Sequence, residues 1–432
     1  MSGREMLKSL RRRPLPVWWS DAKLGIFIHW TPASVPGFAA APAAPGQPLV
    51  HVPGQPLAAQ YTEWYENALR FEASAATAHH RATYGNRPYT AFADDFVAGL
   101  ATWDPDDWAA RFAAAGARYV VLVTKHHDGF CLWPSQVPNP HRADWNTGRD
   151  VVGELADAVR RHGMRFGVYY SGGLDWTFDD RPIATLGSML AAVPSAPAYA
   201  DYAEAQVREL IDRYQPSVLW NDIVWPFGGR RLWQLFTDYY AAVPDAVVND
   251  RWMPRSAAFG VFRTRVGRAM LDRAALASTT RGRTVPPTPP HFDVRTPEYS
   301  SFDSPQRWPW ETCRGMDHSF GFNRASTETD FLGRGELLDL VTDVVAMGGN
   351  LLLNVGPRGD DASIPEPQRQ RLDWLAAWMP SASGALVGTR PWVHQAATSP
   401  EGHRVRFTAR GDDVHVIAAG SHAPTLTLAD VA

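Results

Sequence analysis

The feature that most restricts how this chain can fold is an alternation of short, continuous apolar runs with longer stretches whose apolar residues recur at helical spacing. The runs are LGIFIHW (24–30), YVVLVTKHHDGF (119–130), RFGVYYS (165–171), SVLWNDI (217–223), AVVNDRW (246–252) and NLLLNVGP (350–357). Runs that are apolar throughout predict strands buried on both faces, as in a parallel sheet. Helices are predicted between them. Asp106-Asp107 precede WAARFAAAGA, and Asp150 stands where an N-cap belongs before VVGELADAVRRHG. EAQVRELIDRYQP and RRLWQLFTDYYAAVP each stop at a proline.

Nearly every run ends in a reactive or hydrogen-bonding side chain: His29, His126 and His127, Tyr169 and Tyr170, Asp222, Arg251, Asn354. In a (β/α)8 barrel all of these strand ends face one mouth. An open doubly wound sheet would gather ligand groups at one switch point and usually carry a glycine fingerprint, and neither G-x-G-x-x-G nor a Walker loop is present. The expectation is therefore an α/β fold, a (β/α)8-type barrel with room for irregularity. The stretch RVRFTAR-GDD-VHVIAAG predicts a hairpin, so the expected division is a catalytic barrel over 1–384 and a small all-β domain over 385–432. Residues 32–60, rich in Pro, Ala and Gly, predict a long loop over the mouth. Residues 253–290 interpose a basic helical segment and TVPPTPP between two barrel elements.

Charge and cysteine content narrow the setting. A net charge of -3 argues against nucleic acid as the main partner. Cys131 and Cys313 are the only cysteines, too few for a disulfide framework. The opening MSGREMLKSLRRRPLP lacks an apolar core, so no signal peptide is read there, and no stretch is long and apolar enough to span a bilayer. A cytoplasmic protein with no nucleic-acid or membrane partner is expected, and a homo-oligomer is compatible. The 18 Trp suit a flat, partly apolar ligand.

The most pointed chemical question lies in VLWNDIVWP (218–226), where Asp222 ends a buried run among tryptophans. A carboxylate there is costly unless it is paired or used. A capping role fits poorly, because the next helical pattern begins only near Arg230. A mouth lined by His, Arg, Tyr, Trp and carboxylates suits sugar chemistry. Retaining glycoside cleavage needs two carboxylates about 5–5.5 Å apart, one nucleophile and one proton donor. Asp222 suits the nucleophile. Glu298 in HFDVRTPEY and Glu311 in WPWETCRG are both candidate donors, and spacing alone does not choose between them. In KHHDGF, adjacent strand residues point to opposite faces, so His126 and His127 cannot chelate one ion from a regular strand. At a frayed strand end both could turn toward one ligand. H-E-x-x-H is absent.

These motifs carry a resemblance. The chain resembles the retaining α-L-fucosidases from about Trp18 to Gly388. The resemblance rests on AKLGIFIHW (22–30), EWYENALR (63–70), FVAGLATWDPDDWAARFAAAGARYVVLVTKHHDGFCLWPS (96–135), RFGVYYSGGLDW (165–176), VLWNDIVWP, VVNDRW (247–252), RTPEY (295–299) and GGNLLLNVGPRGD (348–360). It implies an exo-acting α-L-fucosidase working by double displacement on a fucosylated oligosaccharide or glycoconjugate, with neither metal nor cofactor. It implies Asp222 as nucleophile and Glu298 as acid/base, with Glu311 as the runner-up. It assigns sugar binding to His29, Glu63, Trp64, His126, His127, Tyr169, Trp220 and Arg251. Two other readings compete. One is a catalytically silent fucose-binding barrel; the other is a metal-dependent hydrolase using His29, His126, His127 and Asp128.

Overall fold

The structure, a computed structural model, describes residues 1–40, 56–279, 288–400 and 402–418. Seven parallel strands form one curled sheet: β1 (Leu24–Ile28), β2 (Tyr119–Lys125), β3 (Arg165–Tyr170), β4 (Val218–Asn221), β5 (Val247–Val248), β6 (Glu311–Gly315) and β7 (Asn350–Val355). Their order is β5-β4-β3-β2-β1-β7-β6. The two edges are joined by residues 293–299. Asp293 and Val294 donate to the Val248 carbonyl on one side, and Arg295 and Tyr299 donate to Pro309 and Cys313 on the other. Glu298 pairs with Cys313 there as an isolated parallel bridge. The eighth barrel position is thus filled by a segment that is not a regular strand, and Pro297, which has no N–H to donate, is one physical reason.

The expected helices are present. Pro105–Ala114 is capped by Asp104, whose side chain accepts from Asp106 N and Asp107 N. Val151–Arg161 is capped by Asp150 accepting from Gly153 N. Pro197–Tyr214 and Arg230–Ala242 follow β3 and β4. The region read as a basic helical segment contains a 3-10 turn over Ala257–Arg263 and a helix over Arg265–Thr279. Within the expected mouth loop, residues 41–55 lie outside the described residues, as do 280–287. Beyond the last helix, Glu366–Leu386, a separate antiparallel sheet forms from β8 (Arg390–Thr398), β9 (Arg404–Arg410) and β10 (Asp413–Ile417). The predicted hairpin is β9–β10. Among the described residues no helix is long and apolar enough to cross a membrane.

The barrel strands sort their side chains by parity, as period-2 geometry requires. Phe27, Val121, Val123, Tyr169, Val218, Trp220, Val247, Val294, Cys313 and Leu352 form one inner cluster. Their neighbours Ile26, Ile28, Val120, Leu122, Val168, Leu219, Val248, Leu351 and Leu353 pack outward with the helices. Counting two residues on from the inner set reaches His29, Asp222 and Asn354, and four residues on reaches Arg251 and Glu298. The interior-facing positions therefore become the mouth.

Candidate active site

Asp222 follows β4 directly, and its carboxylate is held from several directions. Tyr169, the inward residue near the end of β3, donates its hydroxyl to Oδ2 at 2.8 Å. The backbone N–H of Ile223 turns back to Oδ1 at 2.7 Å. It can do so because Ile223 sits at φ 68°, a costly conformation for a β-branched residue that the surrounding packing must enforce. Gly173 helps: a Cβ there would lie 2.7 Å from Ile223 Cβ, so only glycine leaves the turn room.

Arg251 lies between two carboxylates. One terminal nitrogen is 3.4 Å from Asp222 Oδ1, and the other donates to Glu298 Oε1 at 2.7 Å. Burial opposes its charge, but Glu298 and Asp222 outweigh that and hold the guanidinium firmly protonated. The guanidinium rests 5.1 Å from the centre of the Trp220 ring, which stacks on Tyr169 and forms the floor. Asp222, Glu298, Arg251, Tyr169 and Trp220 thus belong to one constellation.

The other wall carries three imidazoles. His29 Nδ1 is 2.5 Å from Asn354 Oδ1, and the Asn354 amide N–H donates to the Phe320 carbonyl. His127 Nδ1 is 2.6 Å from Ser171 Oγ, and its Nε2 is 3.8 Å from Asp222 Oδ2. His126 stacks on Tyr169 with ring centroids 5.8 Å apart, and its buried Nδ1 has no protein partner. Burial pushes His29 and His127 down to about 3 and His126 well below the usual imidazole range, so all three are neutral. Both members of the His126-His127 pair reach the site because β2 ends at Lys125, just after a register shift against β3, so neither histidine is bound by strand alternation. The regular-strand expectation for that pair does not apply at this point.

Glu63 and Trp64 enter from the short turn Thr62–Trp64. Glu63 accepts from Gly321 N at 3.0 Å, and burial, partly offset by that bond, pushes its carboxyl up to about 7. Trp64 meets His127 edge-on at 5.0 Å. Tyr61, Trp176 and Phe320 complete an aromatic surround with Trp64. Beneath His127, Lys125 and Asp175 form an ion pair at 2.6 Å with both side chains wholly buried.

Glu311 lies elsewhere. It opens β6, two residues before Cys313, the partner of Glu298, which puts it roughly 7 Å lower along the barrel. Tyr119 O–H and Trp220 Nε1–H donate to it at 2.7 and 3.3 Å, and burial pushes it up to about 7. Asp128 is also turned away from the histidines, toward Tyr89 O–H and Phe130 N. Among the described residues no three His, Cys, Asp or Glu side chains converge as metal ligands. Ser171, Asp175, Trp176, Tyr299 and Phe320 were not singled out in the sequence. Ser171, two residues on from inward-facing Tyr169, and Tyr299, next to Glu298, had a positional signal, and Asp175 and Trp176 lie within RFGVYYSGGLDW.

A model of the α-L-fucosidase family matches residues 4–383. The chain belongs to the α-L-fucosidase family. Its class, a glycoside hydrolase, follows from that membership. The α-L-fucosidase of Branchiostoma floridae is 31% identical over 419 residues, covering 95% of this chain and 80% of the relative. The mouse tissue α-L-fucosidase is 30% identical over 90% of this chain and 75% of its own length. Among solved structures, the α-fucosidase of Thermotoga maritima is 41% identical, with a TM-score of 0.77 over 95% of this chain and 84% of that one. That enzyme has also been solved with fucose bound, at the same identity and TM-score. The family's fold, a curled parallel barrel sheet with a small antiparallel sheet beside it, is the one described above.

Proposed function

We propose that this α-L-fucosidase is an exo-acting, retaining enzyme that releases terminal L-fucose from fucosylated oligosaccharides or glycoconjugates. Asp222 is the nucleophile and Glu298 the acid/base. The observation that carries this reading is the single guanidinium of Arg251 touching both carboxylates in one mouth. In the first step Asp222 attacks the anomeric carbon as Glu298 gives a proton to the leaving oxygen; the glycosidic bond breaks and a fucosyl–aspartate ester forms. In the second step Glu298 takes a proton from water, whose oxygen displaces Asp222 and restores the original configuration.

The surroundings suit these roles. Ile223 N–H, Tyr169 O–H and Arg251 aim the nucleophile and stabilise its charge. Imidazoles and Glu63 offer directional bonds to hydroxyls. The aromatic surround offers apolar surface to the C–H face and methyl group of a 6-deoxy sugar.

The test is turnover of an aryl α-L-fucoside by wild type and Asp222→Ala, each with and without azide. An active wild type, a variant slower by on the order of a thousandfold, and azide rescue yielding β-L-fucosyl azide support the assignment. A folded wild type that binds L-fucose but cleaves no fucoside overturns it in favour of a silent binding barrel.

A further inference from the structure

Two hydrogen-bond relays in the site determine where protons reside on two of its histidines. The Ser171 hydroxyl has one proton, and it goes to the Leu174 carbonyl at 2.6 Å, since a carbonyl can only accept. Ser171 Oγ can then only accept from His127 Nδ1, 2.6 Å away. The second relay has the same logic. The Phe320 carbonyl fixes which end of the Asn354 amide faces it, because only the NH2 end can donate there. The amide oxygen is left facing His29 Nδ1, which must carry the proton. Both rings are neutral, so each has one N–H, at Nδ1, and a bare lone pair at Nε2.

We propose that Ser171 and Asn354 are positioning residues that lock His127 and His29 as Nδ1–H tautomers, so that both Nε2 atoms accept hydrogen bonds from sugar hydroxyls. This rests on the fucoside-cleaving reading above and specifies how that site recognises its sugar. His127 Nε2 stands 3.8 Å from Asp222 Oδ2, too far for a mutual bond, and neither atom carries a proton to offer the other. A hydroxyl entering there meets acceptors on both sides and must be the donor. The hydroxyl nearest the carbon that Asp222 attacks is the one on C2, so His127 reads the C2 hydroxyl through its proton. The opposite tautomer would aim Nε2–H at the nucleophile and tie up the lone pair it needs for attack. Ser171 thus protects Asp222 at one remove, without touching substrate.

This predicts a selectivity that shape alone does not give. A ligand bearing fluorine at C2 keeps an acceptor of similar size but has no proton to donate. It should bind wild type on the order of tenfold more weakly than L-fucose does.

The first measurement is made on the resting enzyme and needs no turnover. In protein labelled with 15N at histidine, near neutral pH, the resonances of His29 and His127 are identified by their loss in His29→Gln and His127→Gln. Long-range proton–nitrogen couplings then report the tautomer of each ring. Nδ1–H at both is the expected result; Nε2–H at either overturns the proposal for that ring. The second measurement compares affinities for L-fucose and 2-deoxy-2-fluoro-L-fucose by calorimetry in wild type and Ser171→Ala. The variant should show His127 as Nε2–H and the affinity gap closed to about twofold. A gap that persists despite a switched tautomer overturns the positioning role of Ser171. If wild type neither binds L-fucose nor cleaves any fucoside, the functional reading fails, while the tautomer spectrum still gives its own answer.

Discussion

The Tyr169 hydroxyl donates to Asp222 Oδ2 at 2.8 Å, and it is the only protein hydrogen bond to that oxygen among the described residues. Burial, reinforced by the Asp222 charge, holds the phenol well above its ordinary pKa, so it stays a donor throughout the working range. Tyr169→Phe removes one oxygen from a ring that stays packed against Phe27 and Trp220. A lost hydrogen bond to a charged group corresponds to about a tenfold to hundredfold fall in kcat/KM, while stability changes by ~1 kcal/mol or less. Steady-state kinetics beside urea unfolding separates the two effects, and unchanged kinetics would remove Tyr169 from the nucleophile's support.

Arg251→Lys keeps a positive charge but loses the fork that reaches two carboxylates at once. A fall in kcat/KM on the order of a hundredfold is expected, because a single ammonium cannot hold both groups in place. Activity within a fewfold of wild type would show that charge alone is what the site needs.

Glu311 separates a catalytic from a structural carboxyl. Its folded pKa is about 7 against an ordinary 4.5, raised by burial. Between those values the folded state holds a proton that the unfolded chain has released, so stability falls as pH rises through that window. Glu311→Gln mimics the neutral acid, with an oxygen for Trp220 and an N–H for Tyr119. The variant should gain on wild type by roughly 3 kcal/mol between pH 4.5 and pH 8.5, with kcat within a fewfold of wild type. Glu298→Gln, by contrast, should lose most turnover of substrates with poor leaving groups. Chemical denaturation at the two pH values, with kinetics on both variants, checks this, and a dead Glu311→Gln enzyme would reopen the acid/base assignment.

Removing Lys125 leaves Asp175 charged in a place water does not reach. Lys125→Met should therefore destabilise by about 3–5 kcal/mol. Adding Asp175→Asn should recover part of that loss, and a double-mutant cycle gives the coupling.

The metal-dependent alternative makes a simple counter-prediction. Asp128 is bonded to Tyr89 and Phe130, and His127 Nδ1 is committed to Ser171, so the set His29, His126, His127 and Asp128 does not converge on one ion. Incubation with a strong chelator followed by desalting should leave kcat unchanged. Loss of activity that zinc or manganese restores would count for the alternative.

Much of the barrel and of its mouth was legible because one periodicity governs both. Val218 and Trp220 face inward, so Asp222 does too, and the same count runs from Phe27 to His29 and from Val294 to Glu298. Legibility failed where the period is broken or disguised. β2 ends at Lys125, so His126 and His127 both turn to the site as a frayed strand end allows, but the register shift between Val123 and Lys125 that precedes them has no signal in KHHDGF. ETCRG was not read as a strand because Glu311, Thr312 and Arg314 are polar, and burial of Glu311 depends on donors from Tyr119 and Trp220, distant in the chain. AVVNDRW is regular strand only at Val247 and Val248. The relays through Ser171 and Asn354 depend on carbonyls of Leu174 and Phe320, whose directions no residue type encodes.

The segment that closes the barrel divides labour between the two carboxyls. Asp222 extends a strand bonded along both sides, while Glu298 is carried by a segment outside the regular strands, whose ladder to the β6 side lacks one donor at Pro297. Double displacement makes unequal demands on its two acids. The group that attacks must return to one point each cycle, whereas the proton carrier serves a departing sugar oxygen first and an arriving water next, at positions that need not coincide. A nucleophile that extends a regular strand and a proton carrier on a segment outside the regular strands match those unequal demands.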